Sequence, residues 1–105
     1  MEIREFDEYK INYYSALRST LVARIILLAG GRGIGWINFI SESASMPQNH
    51  VHVNGGLIVN FPESKFSDIV DILRHEDPLF VVLNTDSGAG GIQTDREPIG
   101  EEEIS

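Results

Sequence analysis

Leu21-Val22-Ala23-Arg24-Ile25-Ile26-Leu27-Leu28-Ala29, then Gly30-Gly31-Arg32-Gly33, then Ile34-Gly35-Trp36-Ile37-Asn38-Phe39-Ile40 is the stretch that decides the fold. The first segment is rich in Val, Ile and Leu and is broken only by Arg24, which reads as a nearly central strand. The glycine cluster supplies the positive φ angles of a tight turn, and the third segment resumes with aromatic and β-branched residues. The two segments therefore form a hairpin, and an antiparallel sheet is the framework of the chain.

Working outward, Glu8 to Tyr14 alternates Tyr9, Ile11 and Tyr13 against Glu8, Lys10 and Asn12, the period of a half-buried strand. Downstream, Ser41 to Asn49 is small, polar and interrupted by Pro47, so it reads as a loop. Val51 to Val53, Asn54-Gly55 and Gly56 to Phe61 carry the Asn-Gly hairpin signature. Between Pro62 and Glu76 the period changes: Phe66, Ile69, Val70 and Leu73 fall on one helical stripe, with Arg74 and His75 in the last turn and Asp77-Pro78 as the stop. Leu79 to Leu83 is a continuous apolar run suited to a strand covered on both faces, and Gly91 to Thr94 closes a last hairpin across Asp86 to Gly90. The expected class is α+β: an antiparallel β-meander of five to six strands in the order β-β-β-β-α-β-β, with one amphipathic helix over about 63–76 packed on one face.

At 105 residues, residues 1–95 suffice for a single domain, and 96–105 read as a solvated acidic tail. There is no cysteine, hence no disulfide or thiolate metal site. Met1 to Asp7 lacks the basic start and apolar run of a signal peptide, which points to a cytoplasmic protein. The longest apolar run is far short of the ~20 residues of a membrane helix. Eight basic residues against sixteen acidic ones give a net charge of −8, and the basic residues are scattered, which excludes nucleic acid as an expected partner.

Counting faces yields an expectation about partners. Ile34 to Ile40 is apolar on both sides, and one helix of about 20 Å by 10 Å shields a single face of a sheet built at ~4.8 Å per strand. The sheet must then curl on itself or dock on a second copy, and a homo-oligomer, most simply a dimer, is expected. Tyr13, Trp36 and Phe39 are the candidate interface residues, aromatic side chains being enriched in cores and interfaces alike.

The chemistry-bearing candidates are few. Ala29 to Gly35 superficially resembles the Thr-Gly-x-x-x-Gly-x-Gly loop of the short-chain dehydrogenases, but Ala29 stands where the first glycine belongs and Trp36 to Ser41 is strand-like where a pyrophosphate site needs a helix. No cofactor is expected. His50 and His52, at i and i+2, share one side of a strand and are the candidate metal ligands, with a third ligand still to be found. The serines lack a nucleophile elbow, and Asp68 and Asp71 read as a solvated helix face. The functional expectation is a non-enzymatic homo-oligomeric module that binds another protein or a small ligand; the alternative is a small metal-assisted enzyme using His50 and His52.

Overall fold

A computed structural model describes residues 1–15 and 20–95. The acidic tail and most of the connection from Ser15 to Thr20 lie outside the described residues. The elements are β1 (Glu2–Phe6), β2 (Glu8–Tyr13), β3 (Leu21–Ala29), β4 (Arg32–Ile40), β5 (His50–Val51), β6 (Leu57–Pro62), a 3-10 turn (Glu63–Lys65) running into α1 (Phe66–His75), β7 (Leu79–Leu83) and β8 (Gly90–Thr94). The class is α+β, mostly sheet with one short helix packed on it, as the periodicity of the chain requires.

The central hairpin forms as expected. Gly30 and Gly31 take φ values of 59° and 81°, which let two residues turn β3 into β4 with Ala29 opposite Arg32. β2 pairs with β3 antiparallel, Tyr13 opposite Ala23. β4 and β6, however, run parallel, Trp36 opposite Ile58 and Asn38 opposite Asn60. This departs from a pure meander because residues 41–56 cross over before β5 folds back on β6, His50 opposite Ile58. Gly35 allows the parallel pair to close up: a β-carbon there would collide with the Leu57 backbone.

The strands divide into two sheets, β2-β3-β4-β6-β5 and β1-β7-β8. The second sheet exists because Glu2–Phe6, unassigned in the sequence reading, pairs antiparallel with β7, Phe6 opposite Leu79. It supplies the cover that one helix could not. Ile25, Leu27, Ile37, Phe39, Leu57 and Val59, on the inner face of the larger sheet, share a core with Phe6, Leu79, Val81 and Leu83 from the smaller sheet and with Ile69, Val70 and Leu73 from α1. β7 is fully buried on one side only: Phe80 and Val82 are half-buried.

The helix start is tied to the crossover. Glu42 accepts a hydrogen bond from the Ser64 backbone N–H at 2.9 Å, and Glu63 accepts one from the Glu42 N–H at 3.1 Å. The Ser64 backbone and hydroxyl donors hold the Glu42 carboxyl below its ordinary pKa. Among the described residues, no helix is long and apolar enough to cross a membrane.

Candidate functional site on the outer sheet face

Strand alternation places Lys10, Arg24, Ile26, Trp36, Asn38, Ile58 and Asn60 on the face of the five-stranded sheet opposite the core. Its organising feature is a polar ladder across three strands. Arg24 donates through Nε to Asn38 Oδ1 at 2.8 Å, Asn38 donates to Asn60 Oδ1 at 3.1 Å, and Asn60 donates to the Gln48 carbonyl at 3.1 Å. The crossover is thereby latched onto this face. Asn49 adds a second latch, donating to the Gly88 carbonyl at 2.9 Å and accepting from the Asn60 N–H at 2.6 Å.

Next to the ladder stands Trp36, the one tryptophan of the chain. The Arg24 guanidinium lies 5.2 Å from its ring centroid, a cation–π contact, and the His52 ring lies 5.1 Å away. Its indole Nε1 is shielded from water without a hydrogen-bond partner. A buried orphan donor is costly, so this atom marks a place where an acceptor would be favourable.

A hollow of about 250 Å³ opens beside it, walled by Arg24, Ile26, Gly35, Trp36 and Asn54. A second, of about 460 Å³, adjoins it through Gly33, Asn54 and Gly56 and is edged by Arg4 and Arg32. The second is of the size that takes small molecules, and the first extends it. Gly33, Gly55 and Gly56 add no side chain to their walls.

His50 and His52 sit on the arm that borders this face, but they are engaged differently. His50 Nδ1 lies 3.1 Å from the Gln48 carbonyl, which fixes the proton on that nitrogen, whereas His52 Nδ1 accepts from the Asn54 N–H at 3.2 Å and its ring meets Trp36 at a 58° tilt. No group of three or more His, Asp or Glu side chains that could hold a metal gathers among the described residues.

Of the three aromatic interface candidates, Trp36 lies on the outer face and Tyr13 is 66% exposed at the sheet edge, its ring 5.2 Å from that of Phe66. Phe39 belongs elsewhere: its position in β4 is odd-numbered, so it faces the core, where it is 0% exposed against Phe61 and Phe66. The ladder residues went unassigned in the sequence reading. Their signal is the lone polar residue in an apolar strand, Arg24, Asn38 and Asn60 alike, which becomes a row only once the β4–β6 register is known.

No family model, curated protein or solved structure matches this chain.

Proposed function

We propose that this chain is a non-enzymatic binding module that self-associates through the open edge of β2 and presents the outer face of its larger sheet to a ligand or partner. The observation that carries the reading is the state of that edge. Tyr14 donates its N–H to the Val22 carbonyl at 2.9 Å, so by antiparallel alternation the even residues of β2 bond to β3 while Tyr9, Ile11 and Tyr13 direct their N–H and C=O groups outward. Among the described residues β2 is an edge strand, and an unpaired edge is a template for a second strand.

A two-fold axis at Ile11 would set Tyr9 of one copy opposite Tyr13 of the other, converting an exposed aromatic into a cross-strand pair and continuing the outer face across both copies. No like charges oppose in that register, since Lys10 meets Asn12. Light scattering over a dilution series is the test: association is expected to weaken with dilution and to be abolished by Tyr13→Pro, which removes an outward donor while sparing the β3 ladder. A wild-type chain that stays monomeric at high micromolar concentration would sink the self-association. Near-stoichiometric zinc, lost on His52→Ala, would replace this reading with a metal-assisted enzyme.

A further inference from the structure

The basic residues of this acidic chain are not evenly placed in three dimensions. Arg4, Arg24 and Arg32, three of its eight Lys and Arg residues, line the two adjoining hollows, and no Asp or Glu among the described residues lines either. Neither β1 nor the β3–β4 hairpin brings these arginines together in sequence; the fold does.

Their donors differ in availability. Arg4 is committed to the Gly55 carbonyl and to Glu2, the latter at 3.3 Å. Arg24 spends Nε on Asn38, leaving its two terminal nitrogens without an acceptor among the described residues. The Arg32 side chain makes no hydrogen bond or ion pair among the described residues. Asn54 uses its Oδ1 to accept from the Gly56 N–H at 2.9 Å, which orients the side chain and leaves its amide NH₂ to donate. The hollows are therefore rich in unspent donors, have no acid in their walls among the described residues, and include the apolar surfaces of Ile26 and Trp36 in the first and Ile34 in the second.

We propose that the adjoining hollows form a site for a small organic anion, its apolar body against Ile26 and Trp36 and its carboxylate or phosphate held by Arg32 and Asn54, with Arg24 supplying a second cation. Charge-assisted bonds from guanidinium to an oxyanion are the strong kind, and in a chain whose net charge is −8 the side chains of Arg24 and Arg32, free of carboxylate partners among the described residues, give an anion a locally favourable place. This rests on the reading of the chain as a binding module, and it names the ligand class.

Trp36, as the sole tryptophan, reports directly on the site. Its fluorescence is to be titrated with phenyl phosphate, benzoate and the neutral benzyl alcohol, with calorimetry run in parallel to catch binding that leaves the emission unchanged. A saturable response to phenyl phosphate or benzoate but not to benzyl alcohol is expected, weakened about tenfold in Arg32→Gln and in Arg24→Gln and unaltered in Arg74→Gln on the distant helix. Preference for phenyl phosphate or for benzoate tells the phosphate source from the carboxylate one. The proposal is overturned if neither anion gives saturable emission change or heat, or if Arg32→Gln, whose exposed position leaves the fold intact by circular dichroism, binds as well as wild type. Tyr13→Pro separates the two readings: a monomer that still binds phenyl phosphate keeps this site, whereas an associating chain that binds no anion loses it and keeps the other.

Discussion

The two faces of the five-stranded sheet are built from the same strands and meet opposite fates. The inner face carries Ile25, Leu27, Ile37, Phe39, Leu57 and Val59 and is sealed by α1 and the β1-β7-β8 sheet. The outer face interleaves Ile26, Trp36 and Ile58 with Arg24, Asn38 and Asn60 and is latched by hydrogen bonds to the crossover. One face is held by burial and the other by directional bonds. That difference teaches where function can sit: a sealed face has no room for a ligand, while a face held by a ladder can carry hollows without losing the fold.

The largest effect expected from this contrast is on the inner face. Phe39→Ala should cost about 3–5 kcal/mol in urea unfolding, whereas Ile26→Ala, at half-buried Ile26, should cost well under half as much. Equal losses would erase the distinction. Gly35→Ala comes next, at about 1–3 kcal/mol, because an added methyl meets the Leu57 backbone and must push β4 and β6 apart.

Removing the outer latch sharpens the comparison from the other side. Asn60→Ala deletes the partner of Asn38 and the donor to Gln48, and should cost about 1–2 kcal/mol while speeding amide exchange in residues 48–52 more than in β7. The smallest effect is a pH dependence. With its folded pKa depressed by the Ser64 donors, Glu42 contributes stability that is present above its unfolded pKa and lost as pH falls through the lower folded value. Nuclear magnetic resonance should therefore show the Ser64 amide titrating with a midpoint below the usual glutamate range in wild type and not in Glu42→Gln.

Much of the architecture was legible in the chain. The Gly30-Gly31 turn, the helix stripe Phe66, Ile69, Val70 and Leu73, and the final hairpin each rest on neighbours in sequence, so their periodicity and turn chemistry suffice. Glu2–Phe6 escaped because a short acidic edge strand declares itself only through its partner, β7. Phe39 reads as an interface candidate in the sequence and is a core residue in the structure, because apolar residues on both faces of β4 cannot by themselves say which face is the core. The outer-face site was legible least of all: Arg4, Arg24 and Arg32 look scattered along the chain and meet only at the hollows.

By itself the sequence determined the α+β class, the position of the helix and the local turns, since these follow from the spacing of apolar residues and from glycine. Tertiary structure alone decided the split into two sheets, the parallel register that sets Asn60 beside Asn38, and the gathering of arginines at the two hollows. Those features depend on pairings between distant segments, whose free energy comes from shared burial and matched hydrogen bonds and leaves no periodic trace in either segment taken alone.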